Sequence, residues 1–484
     1  MAKQKTYGLK VLRIAVASVF FIGLTWLFVD STGLAARYLG WMAKMQFLPS
    51  LLSLIGAFSL VSLAFLLLTV ILTLLFGRIY CSVICPLGIM QDLFTWFGGQ
   101  KWLKKLWRHL GHNRWHFEKG HHRLRHGILI VFLVLLLVAH PIASLIEPYS
   151  LFGRIVTSLS MSQDEGSFLF ISSLLFFVGI SVWAFIDGRA WCNNVCPVGS
   201  ILGLLSKHSL FRITVDADKC TNCRSCERKC KAKCIDIEHH TVDTSRCVDC
   251  FDCLEKCQTG ALSFSRNNLS NPNTPNTPTD SSRRRFLGML GVLTATGIAS
   301  AAKKKTDGGL AVIEQKQVPN RSVPVKPAGS GSLRHFKQHC TACQLCVTAC
   351  PEHILRPSLD PETLLQPEMQ FDQGYCLTGC TRCADICPTG AIQHISIEEK
   401  TSIQIGHAVW VADNCAVNTD GVRCGNCARH CPSGAILMVE NGQGRLIPTV
   451  DTEKCIGCGH CEYVCPSRPF SAIYVQGHTQ HRRI

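Results

Sequence analysis

The chain has 484 residues, 47% of them hydrophobic, with 29 cysteines and a formal net charge of +16. This length allows several domains at about one per 150 residues, and so many cysteines exclude an ordinary cytosolic protein that holds no metal. The charge does not indicate nucleic acid. Residues 101–125 hold eight Lys or Arg against Glu118 alone, between two apolar runs, and no stacking aromatics recur along a basic groove.

Four stretches, near 11–29, 51–76, 126–146 and 168–186, are long and apolar enough for membrane helices of about 20 residues. Lys3, Lys5, Lys10 and Arg13 flank the first, and the eight basic residues lie between the second and third. The other two loops carry only Arg37 and Lys44, and Arg154. Positive charge stays inside, so the N-terminus and the chain after the fourth span are expected in the cytoplasm.

The second and fourth spans end alike, in "GRIYCSVICPLG" (77–88) and "GRAWCNNVCPVG" (188–199). This reads as a duplicated two-helix unit with a site at the repeat interface. Cys81, Cys85, Cys192 and Cys196 would meet at the reducing cytoplasmic face. There they suit an iron–sulfur centre or another thiophilic metal rather than a disulfide; the alternative is free thiols packed at helix ends. His140 and Glu147 fall at the outer end of the third span, where a quinone head-group site competes with interfacial anchoring or helix capping. The histidine-rich loop, which includes His109, His112, His116, His121, His122 and His126, reads as solvated and basic.

"CTNCRSCERKC" (220–230) and "CVDCFDCLEKC" (247–257) both have the Cys-x2-Cys-x2-Cys-x3-Cys spacing of bacterial ferredoxins. Three cysteines on one loop fit three corners of a [4Fe–4S] cube, and the fourth completes the neighbouring cube. Cys220, Cys223, Cys226 and Cys257 are expected to hold one cluster; Cys247, Cys250, Cys253 and Cys230 the other. Lys231 and Gln258 replace the usual proline after the fourth cysteine, and Cys234 reads as packing. Residues 1–205 thus form a membrane domain and 206–265 a two-cluster domain.

The Asn-, Pro-, Thr- and Ser-rich stretch 266–281 predicts a disordered tether. "SRRRFL" (282–287) then opens a moderately apolar segment to 305, with Ala299-Ser300-Ala301 near its end and Lys303, Lys304 and Lys305 after it. That pattern predicts a twin-arginine export signal or a fifth membrane segment. After an expected linker at 306–334, four more runs follow in 335–484. They are Cys340, Cys343, Cys346, Cys350; Cys376, Cys380, Cys383, Cys387; Cys415, Cys424, Cys427, Cys431; and Cys455, Cys458, Cys461, Cys465. Spacing alone leaves their pairing open. Six runs imply six [4Fe–4S] clusters, and with the membrane thiols and Cys234 every cysteine is accounted for.

The fold class expected is an α-helical membrane domain of four spans followed by ferredoxin-type α+β domains. Residues 1–265 resemble the NapH-type membrane polyferredoxins. Residues 282–475 resemble the NapG/MauM-type exported ferredoxins, notably in "CTRCADICPTGAI" and "GVRCGNCARHCPSGAI". The resemblance implies a bacterial inner-membrane protein that is the electron-transfer component of a quinol dehydrogenase. Its first ferredoxin domain would be cytoplasmic and its last periplasmic. Its partners would be the bilayer, the quinone pool with menaquinol as donor, and a periplasmic redox enzyme or carrier. A cytoplasmic donor is the other electron source. A different class of function is an assembly or regulatory polyferredoxin that handles metal for a partner enzyme. A redox-driven ion pump fits poorly, since the spans hold few ionisable residues.

Overall fold

The computed structural model describes residues 2–30, 34–57, 60–100, 116–138, 140–160, 168–266, 306–307, 311–312, 316–442 and 444–484. The predicted tether beyond Arg266 and the twin-arginine segment lie outside the described residues.

Helix α1 (Ala2–Val29) has 28 residues, about 42 Å at 1.5 Å per residue. Helix α2 (Leu34–Lys44) doubles back along it, with Trp41 edge-on to Phe20 and Met42 in the space beside Gly23. Helices α3 (Phe47–Ala57) and α4 (Leu60–Phe76) follow where one span over 51–76 was expected. The hydroxyls of Ser53 and Ser62 are 3.0 Å apart, whereas a continuous helix would separate those residues by about 13.5 Å. The run therefore folds back on itself. A straight 26-residue helix would measure about 39 Å, well beyond a hydrocarbon core of about 30 Å.

Short α5 (Tyr80–Val83) and α6 (Pro86–Gly98) come next. Then follow α7 (His122–Val138), α8 (Pro148–Ser160), α9 (Phe168–Asp187), α10 (Ala190–Asn194) and α11 (Pro197–Ser206). By length and composition, Gly8–Val29 in α1 and Phe170–Asp187 in α9 can cross a membrane, and α4 is a shorter apolar helix. The third expected span is also interrupted: α7 ends at Val138 and a separate turn of helix occupies His140–Ala143.

In the first ferredoxin module β1 (Phe211–Val215) pairs antiparallel with β2 (Leu262–Arg266), and α12 (Asp252–Lys256) carries part of the second cysteine run. Four bundle helices each bring one end to this module. Lys10 of α1 pairs with Asp252 and Glu255. The carbonyl of Leu74 in α4 accepts from Leu210 N at 2.8 Å. Arg125 of α7 donates to Ser245 O at 3.1 Å, and Asp187 of α9 pairs with Lys233. Their directions therefore alternate.

The second module contains α13 (Leu333–His339), α14 (Leu345–Ala349), α15 (Arg382–Ile386), β3 (Ile403–Trp410), β4 (Ile436–Glu440), β5 (Leu446–Val450), α16 (His460–Val464) and β6 (Ile473–Arg483). β3 pairs with β6 and β4 with β5, all antiparallel. The linker expected at 306–334 is corrected over 316–334. Val325 is fully buried with Phe336 and Phe371, and its carbonyl accepts from Met369 N at 2.9 Å. Arg321 reaches Val475 O at 2.7 Å. These residues form an edge of the module because their backbone groups and valines find partners there.

The second module meets the bundle at the opposite end of α1. A Cβ at Gly153 of α8 would stand 2.6 Å from both the Cys343 carbonyl and the Phe28 ring. Arg154 donates to Ala342 O at 3.5 Å. One apolar core runs unbroken from Val248 of the first module, past Cys81, Cys85 and Cys196, to Leu345 and Ile386 of the second.

Candidate functional site

Each residue of the repeated Gly-Arg-x2-Cys-x3-Cys-Pro-x-Gly motif has a structural task. Gly77 and Gly188 adopt φ of +78° and +67°, and the space beside them is filled by the Asp249 carboxylate and the Lys231 carbonyl. The second cysteines, Cys85 and Cys196, cap α6 and α11, with Pro86 and Pro197 at the first helical position, where a missing N–H costs nothing. A Cβ at Gly88 would come within 2.2 Å of the Cys81 carbonyl, and one at Gly199 within 2.4 Å of the Cys192 carbonyl. The close approach needs glycine.

The two arginines cross over. Arg78 donates to Cys192 O at 3.1 Å, and Arg189 donates to Cys81 O at 2.7 Å. Each also stands near the thiol of its own motif, Arg78 3.9 Å from Cys81 Sγ and Arg189 3.8 Å from Cys192 Sγ. Gln91 donates to Cys192 Sγ at 3.3 Å and Gly199 N to Cys196 Sγ at 3.3 Å. All four thiols are buried and lie within electrostatic range of one another. Arg189 is answered by Asp92, which also binds Arg13 and Lys231. Arg78 is fully buried, bonded to Asn193 and Ser245 O, and among the described residues no carboxylate lies within salt-bridge distance of it. A fully buried cation beside Cys81 and within electrostatic range of Cys192 and Cys196 fits an anionic thiolate-held group. Among the described residues no three Cys, His, Asp or Glu side chains close on a single-ion position.

The four runs of regular spacing share a backbone device. The third and fifth positions of each have left-handed φ: Asn222 and Arg224, Asp249 and Phe251, Ala342 and Gln344, Gly457 and Gly459. Six of these eight residues are not glycine, and each pays about 1–2 kcal/mol for that conformation. These left-handed residues turn each loop tightly between its cysteines. Backbone N–H groups then reach the sulfurs: Ile392 N to Cys387 at 3.4 Å, Ala408 N to Cys455 at 3.4 Å and Ala472 N to Cys465 at 3.3 Å. Such inward amides stabilise negative charge.

Cavities match the groups of four. Cys230, Cys247, Cys250 and Cys253 line one of about 310 Å³. Cys431, Cys455, Cys458 and Cys461 line another of about 270 Å³, and Cys350, Cys376, Cys380 and Cys383 one of about 500 Å³. Cys226 neighbours Cys223 and Cys257. Cys340, Cys343 and Cys346 neighbour Cys387, and Cys427 neighbours Cys415, Cys424 and Cys465. The pairing that spacing left open is thus first run with second and third with fourth. Thiol-lined apolar cavities with inward amides fit [4Fe–4S] clusters.

Two residues do more than their spacing suggests, and Glu147 takes the capping role open to it. Cys234 does more than pack: its sulfur is 3.5 Å from Cys230 Sγ and also bonds Cys247. The hydrogen bond between Cys234 and Cys230 holds the Cys230 thiol below the usual range. Lys231, in the place of the usual proline, pairs with Asp252 at 3.0 Å and with Asp92, while its carbonyl accepts from Arg189 N. It joins module to bundle, which a proline could not do. Glu147 is buried and caps α8 through Tyr149 N and Ser150 N. The His140 side chain lies outside the described residues.

Fold and thiol geometry define a ferredoxin-type iron–sulfur protein joined to an apolar helical bundle. A family model described as "4Fe-4S binding domain" matches residues 58–107 and 169–215, which contain the two Cys-x3-Cys-Pro motifs. One described as "4Fe-4S dicluster domain" matches 339–391 and 422–468. Over 195 residues the chain is 33% identical to the ferredoxin-type protein NapG of Escherichia coli (strain K12), covering 38% of this chain and 80% of that protein. Over 173 residues it is 35% identical to the methylamine utilization ferredoxin-type protein MauM of Methylophilus methylotrophus, covering 34% and 76%. The chain belongs to the NapG/MauM family of ferredoxin-type electron-transfer proteins, with a large additional part beyond the shared region. No solved structure matches it.

Proposed function

We propose that the chain is a bacterial inner-membrane electron conduit. It would take electrons from menaquinol or a cytoplasmic donor and deliver them to a periplasmic oxidoreductase or carrier. Its membrane domain is a NapH-like duplicated unit with four spans. The 24 ferredoxin cysteines hold six [4Fe–4S] clusters in the groups of four described above, and Cys81, Cys85, Cys192 and Cys196 hold a further centre between them. The clusters supply reversible one-electron transfer.

One observation carries this reading. A single helix, α1, touches the first ferredoxin module through Lys10 and the contact with the second through Phe28. These residues are 18 apart, about 27 Å along a helix, close to a hydrocarbon core of about 30 Å. The reciprocal Arg78 and Arg189 bonds support the duplication, and the unbroken apolar core supports a dry path between the modules. The chain's own residues position thiols, supply compensating charge and exclude water.

Anaerobic iron analysis of the purified chain should give about 24 iron atoms for six clusters, and more with a membrane centre. Less than half would defeat the assignment. Labelling of cysteines engineered into 316–484, from outside intact cells, tests sidedness; a shielded module would overturn the conduit. Cys81→Ser with Cys192→Ser should abolish turnover while the partner enzyme stays fully metallated. A metal-deficient partner would instead mark an assembly factor.

A further inference from the structure

Lys400 lies on the short helix Ile397–Thr401, whose start is fixed by a capping box between Ser396 and Glu399. Its side chain runs inward, only 9% exposed, and helps line the cavity of Cys350, Cys376, Cys380 and Cys383. The ammonium donates to Leu377 O at 2.7 Å, to Cys380 O and to the Cys376 thiol. All three of its donors are therefore used. Among the described residues no carboxylate lies within salt-bridge distance. A buried ammonium needs a counter-charge, and the negative charge it faces is that of the thiolates.

The adjoining centre has a different environment. Cys376 N donates to Cys458 O at 2.9 Å, so the Cys376 and Cys458 loops touch. Beside Cys461 the buried charge is the Glu462 carboxylate, already answered by Arg321 and by Val475 N at 2.8 Å. Elsewhere in the module, Lys326 spends its ammonium on Pro367 O and the Phe336 ring. Lys316 spends its own on the carbonyls of Glu462, Tyr463 and Cys465.

We propose that Lys400 is a positioning residue that raises the reduction potential of the Cys350, Cys376, Cys380 and Cys383 centre above that of the adjoining Cys431, Cys455, Cys458 and Cys461 centre. An electron entering this module then rests at the first of the two. One-electron reduction adds one negative charge to the group these thiols hold, with no proton taken up, and the fixed ammonium stabilises that charge. The electron comes from the quinol or cytoplasmic donor. This inference rests on the cluster reading of the preceding section.

The test is a spin-resonance redox titration of the full purified chain, with iron counted on each sample. In Lys400→Met one cluster signal should fall by at least tenfold in its reduction equilibrium, about 59 mV for one electron, while the others stay. Lys400→Gln keeps a hydrogen-bond donor without charge and should fall likewise, whereas Lys400→Arg should keep the wild-type value. Iron-replete Met and Gln variants with unmoved signals would overturn the proposal. Loss of iron from both would overturn it too, since Lys400 would then serve assembly rather than potential. Failure of the cluster reading itself would appear separately, as low iron in the wild-type chain.

Discussion

At its Lys10 end α1 is held to a ferredoxin module by charge; at its Phe28 end a second module rests on it through apolar and backbone contacts. The first junction buries Lys231, Asp252, Asp92, Arg13 and Arg189 in one network, and Arg78 and Arg125 both donate to Ser245 O. The second has Gly153 against the Cys343 carbonyl, Leu345 and Ile386 in the bundle core, and Arg154 donating to Ala342 O. A buried polar network must be completed as its parts fold together, because each half alone leaves charges unpaired. A module that arrives separately needs a face that is stable in water beforehand, and small apolar patches with backbone groups meet that requirement. This is the asymmetry that the proposed export of the second module requires.

Arg78→Leu should break the first junction most severely. It removes the bonds to Asn193, Cys192 O and Ser245 O and leaves the first two acceptors buried and unpaired, at a cost of about 1–3 kcal/mol for each. The expected outcome is loss of membrane-extracted protein that retains iron, with the isolated 316–484 module unaffected. Lys231→Ala should cost less, about 1–3 kcal/mol, because Arg13 and Arg189 still answer Asp92 and Lys10 still answers Asp252. Limited proteolysis at the junction of 206–265 with the bundle would report it. Normal protease resistance would show that charge is not what holds this end.

Gly153→Val should act on the second junction and on the α1–α8 packing beside it, and leave the first junction intact. Its Cβ would collide with the Cys343 carbonyl and Phe28, weakening docking by about 1–3 kcal/mol. After cleavage at a protease site engineered into 306–315, beyond any fifth membrane segment, more of the second module should wash from membranes, with its iron content unchanged. Unchanged retention would move the docking contact elsewhere.

The smallest effect concerns the edge of the second module. Burial, with His478 beside it, pushes the His481 imidazole down to about 4, against about 6.5 in an unfolded chain. The unfolded state therefore binds more protons between these values. Stability from this group is present above about pH 6.5 and is lost as pH falls towards 4, with about 1 kcal/mol gone at pH 5.5. Thermal unfolding followed by cluster absorbance should drop by a few degrees between about pH 7 and pH 5.5 in the wild type. His481→Phe should flatten that dependence, and an equal drop in the variant would assign the effect to other groups.

Cysteine spacing was enough to propose ligand sets within a run, because three sulfurs on one tight loop admit few arrangements. The repeated Gly-Arg…Cys-Pro-x-Gly string likewise marked its site, each residue answering a local demand: left-handed backbone, helix start or close approach. Apolar length misread residues 51–76, since hydropathy cannot distinguish one long helix from a hairpin whose serines face each other. The role of Lys231 was hidden for a related reason. In the string it is only a missing proline, and its partner Asp92 is more than a hundred residues away.

The sequence by itself determined how many thiol groups there are, their chemistry and the apolar character of the bundle, all of which depend on neighbours along the chain. Only the tertiary structure decided which runs pair in 335–484, that the two arginines cross between repeats, and where the side chains of Lys400 and Cys234 reach. Those outcomes depend on distances between segments remote in sequence, and such distances are set by packing, to which spacing along the chain is blind.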